Sequence, residues 1–130
     1  LVMTKGLTKS VKLLGYISED TKHELITRCR CLAMPSRNEG FGLVYLEAMR
    51  LGRPCLVSME DAGREVVNPP EAGLAVDVNN TANLVAKICR LLASGSEWEE
   101  WSRAARSRYE CSYTRNHFQD RLYGVLEQTR

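Results

Sequence analysis

Two carboxylates, Glu39 and Glu47, stand with seven residues between them, and the stretch they bracket carries Gly40 and Gly42. An apolar run over residues 31–34 stops at Pro35. A polar, glycine-bearing turn follows, and residues 43–51 read as a helix closed by Gly52 and Pro54. A strand, a loop and a helix in that order aim the free backbone N–H groups of the helix N-terminus beyond the strand's end, where the helix dipole favours an anion. Gly40 and Gly42 have no Cβ to obstruct close approach of that anion. With the helix starting near Leu43, Glu47 lies about one turn inside it, so both acids reach a ligand lying over the helix end. Carboxylates repel phosphate, so their use beside one is to accept hydrogen bonds from neutral hydroxyls on either side of it. The chemistry is that of a phosphate flanked by hydroxyl-bearing groups, as in a nucleotide sugar.

The elements that position these residues follow an α/β pattern. Residues 1–9 read as the tail of a helix with a turn at Gly6, and residues 11–16 as a short apolar strand. Ser18, Glu19 and Asp20 supply N-cap chemistry for a helix running to Arg30, with Leu25, Ile26 and Cys29 on its inner face and His23 on the polar side. Beyond the central turn, residues 54–58 form a buried strand, and residues 73–78 a further one after the Asn68-Pro69-Pro70 turn. Asn79 and Asn80 cap a helix carrying Leu84, Ile88, Leu91 and Leu92. Ser96 with Glu99 reads as a capping box for a helix bearing Trp98, Trp101, Ala105 and Tyr109, and Thr114 caps a last helix bearing Phe118, Leu122, Val125 and Leu126. The expected fold is α/β, with four strands in a Rossmann-like, mostly parallel sheet and C-terminal helices. Tryptophans at helical spacing read as packing residues rather than as a stacking platform for bases.

Composition narrows the function. With 44% hydrophobic and 26% charged residues, the 130-residue chain is one globular unit with enough apolar content for a core. A formal charge of +2 with dispersed arginines gives no nucleic-acid footprint. No apolar run is long enough for a membrane span, and no signal peptide is visible. The five cysteines are odd in number and sit in apolar patterns, which favours reduced thiols and a cytoplasmic location. Cys29-Arg30-Cys31 lacks the spacer and second ligand pair of a zinc site, so no metal is expected. A dinucleotide-binding oxidoreductase is disfavoured because Gly40-Phe41-Gly42 has Tyr45 where the fingerprint needs a third glycine.

Glu39-Gly40-Phe41-Gly42-Leu43, followed by Glu47-Ala48-Met49, Gly52 and Pro54, resembles the retaining nucleotide-sugar glycosyltransferases with the GT-B fold, of the group 1 or family 4 type. The likeness extends from Val11-Lys12-Leu13-Leu14-Gly15-Tyr16 through Pro35-Ser36 and Gly73-Leu74-Ala75-Val76 to the terminal helices. It implies a C-terminal donor-binding domain of a hexosyl-type enzyme in glycan biosynthesis, retaining configuration without a metal or other cofactor. It also implies roles for individual residues. Glu39 is the catalytic position and contacts the donor sugar, the backbone of Gly40, Phe41, Gly42 and Leu43 holds phosphate, and Glu47 holds the ribose. Ser36 joins the donor-binding set, and Gly15, Tyr16 and Ile17 lie against the base, although an ordinary turn with Tyr16 packed is the equal alternative. At residues 59–67 the family's glycine pair is reduced to Gly63. Glu65 fits the family's acid there, and equally fits a cap for a short helix.

The resemblance further implies two more strands, a phosphate-neutralising Arg and Lys, and an acceptor-binding domain, all upstream of Leu1. The chain is therefore expected to be a piece of a longer enzyme, weak in donor binding and prone to self-association by itself. Membrane contact, if the enzyme makes any, would come through the upstream part. The alternative is a non-catalytic α/β module that keeps the turn for nucleotide or anion binding.

Overall fold

A computed structural model describes residues 1–37 and 40–128. Three strands form the sheet: β1 (Leu32–Met34), β2 (Cys55–Ser58) and β3 (Gly73–Val76). They are parallel throughout, in the order β1-β2-β3, with Leu32 opposite Cys55 and Cys55 opposite Gly73. Parallel neighbours need crossover helices. Here α2 (Leu43–Arg50) joins β1 to β2, and the short α3 (Gly63–Val67) lies between β2 and β3. The helix before the sheet is α1 (Glu19–Arg28). After it come α4 (Thr81–Leu92), α5 (Ser96–Ser112) and α6 (Arg115–Gln128).

Alternation along β2 divides the core. Cys55 and Val57 pack with Tyr45, Ala48 and Met49 of α2, Val66 and Val67 of α3, and Ala105 of α5. Leu56 faces the other way, toward Leu74, Val76, Leu91 and Trp101. All of β2 is buried, which is why it reads as a continuous apolar run rather than an alternating one. Trp101 donates its indole N–H to the Pro70 carbonyl at 2.9 Å, and Trp98 donates to the Arg30 carbonyl while the Arg30 guanidinium stacks 4.3 Å from its ring. Both tryptophans thus serve packing.

Five expectations are corrected. Residues 11–16 form no strand and residues 1–9 no helix. A strand exists only against a neighbour, and this stretch has none among the described residues; its backbone closes instead in turns such as Leu7 N–H to the Val2 carbonyl. Leu25 is exposed, because the inner face of α1 runs through Lys22 and Ile26. Leu92 likewise faces solvent while Leu91 is buried. Ser96 is the first helical residue of α5 rather than its cap, since Gly95, at φ 140°, takes the N-cap place. Other caps fall where their side chains suggested: Ser18 accepts from Thr21 N–H, Asn80 from Asn83 N–H and Thr114 from His117 N–H.

Candidate functional site

β1 ends at Met34, and Pro35 and Ser36 lead toward α2. Gly42 is the N-cap of α2, in the left-handed region at φ 74°, ψ 61°, and offers no side chain to cap the helix. A non-glycine residue adopts that conformation only at a cost, whereas glycine does so freely. Leu43, 68% exposed, faces solvent at the start of α2, while Gly42 before it and Tyr45 two residues on are buried. Backbone N–H groups without a side-chain cap at a helix end are the arrangement that favours an anion. Phe41 is half exposed and meets Tyr113 edge-on, with ring centroids 6.4 Å apart. Gly40 has open space around it. Glu39 lies outside the described residues.

One turn into α2, Glu47 meets a partner that the spacing of the sequence does not reveal. Lys22 of α1 donates from Nζ to Glu47 Oε1 at 3.1 Å and lies 2.7 Å from Glu19 Oε2. Its ammonium pKa is raised, first by the hydrogen bond to Glu19 and then by that to Glu47. Glu47 Oε2 also lies 3.0 Å from Lys22 Nζ, but in a geometry that makes no hydrogen bond. That oxygen is inaccessible to solvent and finds no donor among the described residues. An acceptor in that condition is costly unless something supplies it with a donor. The pair borders a cavity of about 490 Å³ between α1, α2 and the end of α5, with Lys22, His23, Leu43, Leu46, Glu47 and Tyr109 among its walls.

Ser36 is held from below. Its Oγ donates to Asp61 Oδ2 at 3.2 Å, and the Tyr45 hydroxyl lies 3.3 Å from the same oxygen while donating to the Met34 carbonyl at 2.6 Å. Gly63 N–H donates to Asp61 Oδ1 at 3.1 Å. Asp61, only 4% exposed, therefore ties the end of β1 to α2 and to the start of α3. Burial, and then the charge of Asp61, push the Tyr45 phenol well above its ordinary pKa, so it stays a neutral donor. Glu65 is exposed in the first turn of α3, and it is Asp61 that satisfies an N–H at that helix start. Gly63 is needed where it stands: a Cβ there would lie 2.3 Å from the Tyr45 ring.

The remaining expected residues lie apart. Tyr16 is fully exposed, Gly15 has nothing near it, and Ile17 is half buried; none of the three lines the cavity. The residues brought together at the cavity are Glu47, Leu43 and Lys22, while Ser36 is joined through Asp61 to Tyr45 and Gly63 away from it. Lys22, Tyr45 and Asp61 were not singled out from the sequence. Tyr45 and Asp61 follow 11 and 27 residues after Met34, and Lys22 precedes Glu47 by 25, so only the tertiary fold joins them.

Fold and site together define a Rossmann-like α/β domain whose glycine-capped helix end and inner carboxylate suit an anion beside hydroxyl groups. Comparison with known proteins narrows that class. The profile of the family described as glycosyl transferases group 1 matches residues 1–108. The chain is 37% identical over 90 residues to an O-antigen chain mannosyltransferase B of Escherichia coli, covering 69% of this chain and 23% of that protein. It is 26% identical over 129 residues to a D-inositol 3-phosphate glycosyltransferase of Jonesia denitrificans, covering 99% and 30%. Among solved structures, a sucrose-phosphate synthase from Thermosynechococcus elongatus superposes with a TM-score of 0.84 at 26% identity, covering 99% of this chain and 33% of that one. An Anabaena protein solved with UDP and glucose superposes at 0.86 with 20% identity, covering 98% and 34%, a likeness of fold. This chain belongs to the group 1 glycosyltransferases, and its fold is that of part of a GT-B C-terminal domain. It spans roughly a quarter to a third of the length of its curated relatives.

Proposed function

We propose that this chain is the donor-binding part of an enzyme that transfers a hexosyl-type sugar from a nucleoside-diphosphate sugar to an acceptor, with retention of configuration and without a metal. The observation that carries the reading is the pairing of an uncapped, glycine-started helix end with Glu47 one turn inside it, both Glu47 and Leu43 lining one cavity. The helix end stabilises the diphosphate as it leaves, where negative charge develops. Glu47 accepts from the ribose hydroxyls. Glu39, the residue before Gly40 in the sequence, is the group that meets the donor sugar. Ser36 precedes Glu39 by three residues, its hydroxyl oriented by Asp61. Gly15, Tyr16 and Ile17 reach the base in this reading only if residues 11–17 settle against the site. The acceptor is bound by a further domain, and the reaction takes place in the cytoplasm. The names of relatives, a mannosyltransferase and a D-inositol 3-phosphate glycosyltransferase among them, support sugar transfer and leave donor and acceptor to be assigned by experiment.

The test is calorimetry of the full-length protein against a panel of nucleoside diphosphates and nucleotide sugars. Glu47→Gln removes a charge-assisted hydrogen bond of about 1.5–3 kcal/mol, so the preferred nucleotide should bind at least about tenfold more weakly with the fold intact. Unchanged affinity would remove Glu47 from the site.

A further inference from the structure

We infer that Lys22 is a positioning residue for the ribose of the donor: it holds the Glu47 carboxylate in the orientation that accepts the ribose hydroxyls. The inference rests on the reading of Glu47 given above. Glu47 is half-buried on the cavity wall with three rotatable side-chain bonds, and a carboxylate left to itself there would sample several rotamers. Lys22 limits it by donating to Oε1 from α1, a separate element anchored by the buried Ile26 one turn further along. Lys22 is in turn fixed by Glu19, three residues earlier on the same helix. The three groups thus form a chain from Glu19 through Lys22 to Glu47, with Lys22 Nζ 3.1 Å from Oε1 and 3.0 Å from Oε2 of the last member. A ribose presents two adjacent hydroxyl donors, and a carboxylate held in one rotamer meets them in a single arrangement.

An alternative use of the same cation, direct contact with the diphosphate, is less well supported by the geometry. Lys22 stands between two carboxylates, at 2.7 Å from one and 3.0 Å from the other, so its charge is already answered. The two uses also predict different measurements. A positioning residue affects only ligands that carry the hydroxyls, whereas a phosphate contact affects every diphosphate alike.

The experiment compares full-length wild type, Lys22→Met, Lys22→Arg and Glu47→Gln in binding UDP, GDP and ADP and their 2′,3′-dideoxy counterparts. The readout is the ratio of ribo to dideoxy affinity, in which any uniform effect of a lost positive charge cancels. Wild type should prefer the ribo form. Glu47→Gln should abolish that preference, and Lys22→Met should reduce it by about tenfold, the order of one charged hydrogen bond. Lys22→Arg, which keeps a charged donor, should retain most of it. If Lys22→Met weakens ribo and dideoxy ligands by the same factor, or leaves the ratio unchanged, the inference is overturned while the reading of Glu47 stands. If wild type shows no preference, or Glu47→Gln keeps it, the reading of Glu47 itself fails. Lys22→Gln replaces the Met variant should that one not fold, with the same outcomes.

Discussion

Cys55 shows how burial governs a single group. It is fully buried in β2 beneath α2, and burial, joined by the neighbouring Cys31 and Cys29, raises its thiol pKa far above the ordinary value. Cys29 and Cys31 shift the same way for the same leading reason. A free thiol in the unfolded chain ionises near about 8.5, while the folded thiol stays neutral. The unfolded state therefore sheds protons first as pH rises, and the stability that these thiols contribute is complete below about pH 8.5 and lost above it. The Tyr45 phenol, also raised by burial, adds to the loss above about pH 10. Denaturant unfolding across this range should show stability falling with pH, at up to about 1.4 kcal/mol per pH unit for each group involved. Cys55→Ala should lower stability at neutral pH through its small cavity and yet flatten the slope above about pH 8.5. Parallel curves for variant and wild type would show that Cys55 is not held neutral by the fold.

Helix α2 was legible in the sequence because its ends are written in residues with unusual backbones. At its C-terminus Gly52 adopts φ 65°, its N–H donates to the Met49 carbonyl at 2.9 Å, and Arg53 N–H reaches the Ala48 carbonyl at 2.9 Å, closing a Schellman motif. A Cβ at Gly52 would also come within 3.0 Å of Ser102 Oγ in α5. Gly52→Ala should therefore lower the unfolding free energy by about 1–3 kcal/mol, from the left-handed conformation and the contact together. Gly52→Asn should cost less than Ala in conformation, because Asn enters that region more readily. The reverse ranking in urea titrations would show that Ser102, rather than the backbone, sets the cost. The three strands of the sheet were legible for a related reason, as short apolar runs bounded by proline, glycine or asparagine. Residues 11–16 have the same composition and no partner, and composition cannot distinguish those two cases. On α1 the apolar residues mark a face that includes Leu25, yet the helix turns Lys22 and Ile26 inward. Lys22 counts as polar in any periodicity, so the residue that engages Glu47 was hidden in the sequence even though Glu47 was not.

The sheet as a unit leaves both edge strands, β1 and β3, with β2 as their one partner among the described residues. In the order β1-β2-β3, β1 pairs only with β2 among the described residues, and Ala33 on it is exposed. Leu1, Met3, Leu13 and Leu14 also face solvent. Unpaired strand edges and contiguous apolar surface favour association with other copies. Binding by the 130-residue chain alone has little to draw on. The N-terminal end of α2 contributes about 0.3–1 kcal/mol toward an anion, up to ~2 when partly buried. Lys22 adds little positive charge, because Glu19 and Glu47 flank it. One hydrogen-bonded carboxylate on a ribose adds about 1.5–3 kcal/mol. Their sum stays near the ~4 kcal/mol that corresponds to a millimolar dissociation constant, before the cost of association is subtracted. The 130-residue chain purified by itself should thus bind nucleoside diphosphates at millimolar levels or more weakly, and sediment as a concentration-dependent mixture of species. Sedimentation velocity over a range of concentrations, with calorimetry on the same samples, measures both. A monodisperse monomer with micromolar affinity for a nucleotide sugar would mean that these 130 residues already hold a complete donor site, with the phosphate-binding charge supplied by groups other than the helix end and Lys22.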